Sequence, residues 1–261
     1  MKANNFDLQA YCERIGYQGE LHNDLATVSA LMRQQLFTVP FENLDVQAGK
    51  VVSLIPEDIV DKIVRRRRGG YCYEVNGLFA MVLESLGIPY QFAACRPMFY
   101  PVLRPRTHMA LIAQIEGKAW LCDLGFGSQG IRAPLALDET GREIHQDSDC
   151  FLLERPNEQE YLLKARVDGA WANQYGFDLW PQHWIDFMPA NYLNSTHPET
   201  IFVQKLLVML LNPEGRTTLL GDRLKQVRGG QSTESIVSLA EIEVLLKETF
   251  GLSLDEAVSA D

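Results

Sequence analysis

The sequence is short of positive charge. Its 261 residues hold 24 lysines and arginines against 34 aspartates and glutamates, a net charge of −10, and its pI is near 5.0. A broad basic face that could neutralise phosphates is missing, which argues against nucleic-acid binding. Long apolar runs are also missing: no stretch approaches the roughly 18 consecutive apolar residues of a membrane span. The start, MKANNFDLQAYCERIGY, has no apolar signal region. Cysteines are few and scattered, with Cys12, Cys72, Cys95, Cys122 and Cys150 making an odd number without a CxxC pair. That is neither a disulfide framework nor a zinc site of recognisable spacing, so no metal is expected and a reduced, cytoplasmic setting suits the thiols. The glycine-rich turn GFGSQG lacks a phosphate-loop lysine, which argues against a nucleotide cradle.

What is present changes period along the chain. FDLQAYCERIGY and DLATVSALMRQQLF repeat apolar residues at helical spacing. EDIVDKIVRRRR places Ile59 and Ile63 four apart, and Gly69–Gly70 is expected to end that helix. From Cys72 a further helix carries Val75, Phe79, Val82 and Leu86 on one face until Gly87 and Pro89 stop it. In the middle third, YQFAACR, HMALIAQI, AWLCDLGF, CFLLE and EYLLKARV are short apolar or alternating runs, the pattern of an antiparallel sheet or small barrel. The last third is mixed. IFVQKLLVMLL reads as a strand or a buried helix, TTLLGDRLKQVRGG as strands, and SLAEIEVLLKETFG as a helix opened by a Ser238–Glu241 capping box. No internal repeat or low-complexity linker separates the parts.

One thiol stands out. Cys72 follows four arginines and two glycines and opens an apolar helix. A free thiol has a pKa near 8.5, so little of it is thiolate at neutral pH. The helix start and the arginine charge are both expected to favour the anion, and a fall of about two units would raise the thiolate fraction roughly thirtyfold. Glycine without a Cβ would keep the approach open and permit positive φ. A half-buried structural cysteine is the alternative, and environment alone does not exclude it. A nucleophile needs a base, and the base an orienter. Both lie in one hairpin: His108 opens HMALIAQI, and Asp123 nearly closes the returning AWLCDLG. Folding that hairpin about Gly117 sets His108 and Asp123 side by side within a residue or so. Asp123 would then fix one imidazole nitrogen and leave the other for the thiol. His22, His145 and His197 sit in polar stretches, and His183 lacks a hairpin partner. Strand alternation points Cys122 away from Asp123, so it reads as core, as do Cys12, Cys95 and Cys150.

RRGGYCYEVN, THMAL and CDLGFG, in that order, resemble the signature segments of the arylamine N-acetyltransferase family. YCERIGY, VPFENLDV and STHPETIF extend the likeness from about residue 11 to about residue 210. The resemblance implies an α+β fold in three parts: an N-terminal helical bundle (1–88) carrying the nucleophile, a central antiparallel β-barrel (89–195) carrying the histidine and aspartate, and a C-terminal α/β lid (196–261). It implies a papain- or transglutaminase-like triad in which Cys72 takes the acyl group, His108 moves the proton and Asp123 orients His108. Arg68 would support the loop before the nucleophile, and Phe41, Phe126 and Phe202 would line the aromatic acceptor pocket. Acetyl-CoA would be the acyl donor. A small aromatic amine or hydrazine would be the acceptor, with O-acetylation of N-hydroxyarylamines a further option. The alternatives are an amide synthase using carrier-bound acyl chains, a cysteine peptidase or transglutaminase-like hydrolase, and a binding module with a decayed site.

Overall fold

The helical spacing of the first third is realised in a computed structural model that describes residues 1–127 and 129–253; the end of the expected lid, 254–261, lies outside the described residues. Helix α1 (Leu8–Ile15) starts where the Asp7 side chain accepts from Ala10 N and stops at Gly16 in the left-handed region. Helix α2 (Leu25–Thr38) is capped by Asp24 in the same way. Strand β1 (Phe41–Glu42), helix α3 (Leu44–Gln47) and helix α4 (Pro56–Val60) follow, and α4 runs into a π-helical turn over Asp61–Arg65. That segment therefore ends before the glycine pair, not at it. Gly69 and Gly70 instead continue as chain laid against β1, with Gly70 bridging Phe41 in parallel. Neither has positive φ. A Cβ on Gly69 would stand 2.0 Å from the Pro40 carbonyl oxygen, so glycine is needed here for close backbone approach and not for an open entrance.

Helix α5 (Cys72–Ser85) is buried from Cys72 through Leu83. Buried on every side over that stretch, it sits in the middle of the molecule. Polar side chains tie it to its neighbours: Tyr11 Oη donates to Gln35 Oε1, and Gln35 Nε2 donates to Val75 O, each at 2.9 Å.

All five apolar runs of the middle third contribute strands, although AWLCDLGF leaves its strand after Cys122. Eight strands, β2 (Tyr90–Pro97), β3 (His108–Ile115), β4 (Lys118–Cys122), β5 (Leu135–Ala136), β6 (Glu143–Gln146), β7 (Asp149–Glu154), β8 (Glu160–Val167) and β9 (Ala170–Asp178), make one curled sheet. Its spatial order is β5-β4-β3-β2-β9-β8-β7-β6. The β3–β4 hairpin turns on Glu116 and Gly117, both at positive φ (52° and 77°), the twist-compatible primed geometry. Its register pairs Leu111 with Cys122. Continued by one residue, it puts Asp123 opposite Ala110 and one pleat from His108 on the same face.

A 3-10 turn (Trp184–Phe187) leads into α6 (Met188–Thr196) and α7 (Ile201–Gln204). The ambiguous run IFVQKLLVMLL thus divides: its first four residues form α7 and the rest enters β10 (Leu207–Asn212). Strands β11 (Gly215–Leu220), β12 (Arg223–Arg228) and β13 (Gln231–Ile236) continue as hairpins, and α8 (Leu239–Glu248) closes with the Ser238–Glu241 capping box. Strand β1 pairs with β10, giving a second sheet β1-β10-β11-β12-β13. The two sheets are clamped by the fully buried Arg132, which donates to Asp149 Oδ2 (2.7 Å), Asn212 O (2.6 Å) and Gly215 O (2.9 Å). One large apolar core joins α1, α2 and α5 to the inner face of the eight-stranded sheet. A smaller one lies under α8. Among the described residues no helix is long and apolar enough to cross a membrane.

Candidate active site

Cys72 is the first residue of α5, immediately after the cap residue Tyr71, whose N–H donates to Glu74 Oε2 at 2.9 Å. The cap fixes where the helix begins and therefore where the thiol points. Four residues on, one helical turn away, Asn76 is fully buried. Its Nδ2 donates to Met109 O (2.7 Å) and Asp123 Oδ1 (3.1 Å), and its Oδ1 accepts from Leu124 N (2.8 Å). One amide thus bolts the cysteine helix to both the strand bearing His108 and the loop bearing Asp123. Sequence reading missed it, although a lone asparagine on a helix otherwise buried in apolar surroundings was the available signal.

Asp123 Oδ2 lies 2.7 Å from His108 Nε2, and Asp123 Oδ1 also accepts from Gly125 N at 2.9 Å. Burial works to raise the Asp123 carboxyl. The His108 charge and the hydrogen bonds from His108, Gly125 and Asn76 outweigh it and hold the group below the usual carboxylate range. The His108 ring is wedged between Phe126 and Tyr175, with centroids 5.1 and 5.0 Å away. With Nε2 committed to Asp123, Nδ1 is the nitrogen left for another partner. Cys72 Sγ sits 4.0 Å from the carbonyl oxygen of Thr107, the residue before His108. The DLGFG loop passes over the thiol so closely that a Cβ on Gly125 would meet Cys72 Cα at 2.5 Å.

The electrostatics differ from the sequence expectation. Arginine charge does not govern Cys72. Burial pushes its thiol up, and the negative charges of Asp123 and Glu74 push the same way; backbone hydrogen bonding at Met109 and Tyr73 works in the opposite direction without prevailing. The guanidinium groups of Arg65, Arg66 and Arg68 are engaged elsewhere. Arg65 and Arg66 pair with Asp61, and the carbonyls of Arg67 and Arg68 accept from Arg14. The buried Arg68 guanidinium holds Glu42 (2.8 and 3.0 Å) and Asp45 (3.2 Å). Lys62 joins that cluster through Asp45 (2.5 Å) and Glu74 (2.7 Å). Two cations thus serve three carboxylates: Lys62 is held protonated, whereas Glu74, short of compensation and fully buried, is pushed up to about 7.

Cys72 and His108 open on a cleft of about 460 Å³, walled by Phe41, Phe126 and Phe202 together with Phe99, Tyr100 and Arg104. Phe41 and Phe202 lie 6.1 Å apart across one side. Asp123 stands behind His108, and Arg68 lies outside the cleft, under the loop that precedes the thiol. Residues from all three thirds of the sequence therefore meet here: Phe41 and Cys72 from the first, His108 and Phe126 from the second, Phe202 from the third.

Residues 24–259 match the family model described as "N-acetyltransferase". The chain is 34% identical to the arylamine N-acetyltransferase of Mycolicibacterium smegmatis, covering 98% of this chain and 95% of that protein. It is 30% identical to a Salmonella typhimurium protein named arylamine N-acetyltransferase / N-hydroxyarylamine O-acetyltransferase, over 88% of this chain and 84% of the other. The solved structure of Mycobacterium marinum arylamine N-acetyltransferase in complex with CoA superimposes with a TM-score of 0.91 at 31% identity, covering 96% of this chain and 94% of that one. With this likeness running over nearly the whole chain, the chain belongs to the arylamine N-acetyltransferase family.

Proposed function

We propose that the chain transfers acetyl groups from acetyl-CoA to arylamines and hydrazines, and to the oxygen of N-hydroxyarylamines, in two half-reactions through Cys72. The observation that carries this reading is the convergence of a buried thiol and a His108–Asp123 pair at one aromatic-walled cleft. In the first half-reaction Cys72 Sγ attacks the thioester carbonyl while His108 Nδ1 takes the thiol proton. Asp123 stabilises the imidazolium that forms. A thiol raised by burial suits this timing: the proton leaves as the base takes it, so no free thiolate has to persist. Backbone N–H groups at the start of α5 are the candidate donors for the tetrahedral oxyanion as it replaces the thiol as their acceptor. CoA departs, carrying a proton from His108.

In the second half-reaction the amine attacks the acetyl-cysteine and gives its proton to His108, and the thiol is restored. Thioester exchange is nearly isoenergetic, whereas amide formation is downhill. Phe41, Phe126 and Phe202 hold the acceptor's ring, and an aromatic amine suits them because its low basicity leaves it neutral at pH 7. Arg68 acts from outside the cleft, pinning Glu42 and Asp45 beneath the loop that aims Cys72. The parts we assign are a helical bundle (1–88), a barrel sheet (89–195) and a lid (196–261), with β1 of the first pairing into the sheet of the third. Five free cysteines fit a reducing, cytoplasmic setting. Initial rates with acetyl-CoA and a para-substituted aniline test the scheme. Parallel double-reciprocal lines at varied donor are expected; intersecting lines, which require both substrates bound at once, would overturn it.

A further inference from the structure

We propose that Glu143, His145 and Cys150, on the β6–β7 hairpin, form a Zn²⁺ site separate from the cleft. None of the three lines that cleft. His145 and Cys150 are direct cross-strand partners, and Glu143 lies two residues from His145 on the same face. The potential ligand atoms form a nearly equilateral triangle: Cys150 Sγ is 3.9 Å from Glu143 Oε2 and 3.9 Å from His145 Nε2, and those two atoms are themselves 3.9 Å apart. The centre of such a triangle is about 2.3 Å from each corner, which matches a Zn–S bond and exceeds Zn–N and Zn–O bonds by only a few tenths of an ångström. The two side chains that must close in are exposed, Glu143 at 46% and His145 at 71%, and the shift required of each is only a few tenths of an ångström.

The carboxylate is already aimed. Arg166 Nη2 donates to Glu143 Oε1 at 2.5 Å, and the Arg166 guanidinium is itself held over the Trp171 ring at 4.6 Å. One carboxylate oxygen is anchored, leaving the other facing the sulfur and the imidazole, the arrangement of an outer partner orienting a ligand. A thiol, an imidazole and a carboxylate select a borderline-soft divalent ion over Mg²⁺ or Ca²⁺. On binding, the Cys150 S–H loses its proton to solvent. Thiolate and carboxylate then balance the ion's charge, and the solvent-facing fourth position takes a water. Asp149, next in chain to Cys150, is the carboxylate that Arg132 and Arg216 use to join the two sheets. An ion here would therefore stiffen the hairpin at that joint.

Co²⁺ serves as the spectroscopic probe, and Cys72→Ala protein is used because the cleft thiol and His108 could also take a metal. One equivalent of Co²⁺ is expected to give a sulfur-to-cobalt charge-transfer band together with the visible bands of a tetrahedral ion. Zn²⁺ should abolish both. The charge-transfer band should vanish in Cys72→Ala/Cys150→Ser. His145→Ala in the same background removes an exposed side chain that the fold does not need, and should weaken Co²⁺ binding at least about a hundredfold. No sulfur band at stoichiometric Co²⁺, or a band that survives either substitution, would overturn the site.

Discussion

Asp123→Asn separates an orienting carboxylate from one that merely caps a turn. The hydrogen bonds around it dictate how the new amide must sit. Asp123 Oδ1 accepts from Gly125 N and from Asn76 Nδ2, and Asn76 cannot turn to accommodate a flipped partner because Met109 O and Leu124 N hold both its ends. Placing the amide nitrogen on that side would leave two buried donors without acceptors, at roughly 1–3 kcal/mol each. The amide oxygen therefore stays with Gly125 and Asn76, and the NH₂ faces His108 Nε2, the atom that now lies 2.7 Å from a carboxylate oxygen. His108 must then accept at Nε2 and carry its proton on Nδ1, the nitrogen required to receive the thiol proton. The imidazolium also loses its counter-charge. In a Ser-His-Asp protease the same change costs about 10⁴ in turnover. A thiol is the better nucleophile of the two, so the expected loss here is at least about a hundredfold in kcat/KM, or about 2.7 kcal/mol of transition-state stabilisation. Acetylation of an arylamine and iodoacetamide alkylation of Cys72 near neutral pH are both to be measured on protein whose thermal melt shows it folded. Both should slow. Wild-type rates in both assays would show that Asp123 does not orient His108 and would leave only a Cys-His pair.

Cys122→Ala is expected to cost roughly 1 kcal/mol in a denaturant melt and to spare most of the activity, since this thiol is fully buried and strand alternation directs it away from Asp123; lost turnover in folded protein would contradict the strand parity. Phe202→Ala should raise KM for the arylamine several-fold while leaving single-turnover acetylation of Cys72 by acetyl-CoA near wild type, and equal damage to both steps would contradict an acceptor-side role. Glu74 sits at about 7 against an ordinary 4.5, so the native state holds a proton that the unfolded chain releases. Its stabilising contribution is full below about pH 4.5 and is lost as pH rises through about 7. Glu74→Gln should flatten that decline in melts across this window; an unchanged slope would show that another group carries it.

Much of the site was legible because it is built from local pattern. The helix start at Cys72 and the hairpin joining His108 to Asp123 follow from apolar period and turn chemistry alone, and the strand parity of Cys122 follows from the pleat. Long-range packing was not legible. That Gly69 is needed against Pro40, that Arg68 spends its charge on Glu42 and Asp45, and that β1 joins a sheet built mostly from residues beyond 206 are pairings across many tens of residues, which no local window contains. The arginine run was misread for the same reason: sequence proximity to Cys72 suggested a field that partners elsewhere in the fold absorb. Asn76 was hidden differently, since a buried amide is recognisable as a tie only once the groups it satisfies are known.

The acetyl-enzyme is the direct test of the proposed chemistry. Protein mixed with acetyl-CoA and no amine is expected to gain one acetyl group by intact mass, mapped to Cys72 in a digest kept acidic to preserve the thioester. Adding an arylamine should discharge it at a rate no slower than turnover. Cys72→Ala protein should stay unlabelled. An acetyl group found on another residue, or full turnover with Cys72 never acetylated, would contradict transfer through Cys72.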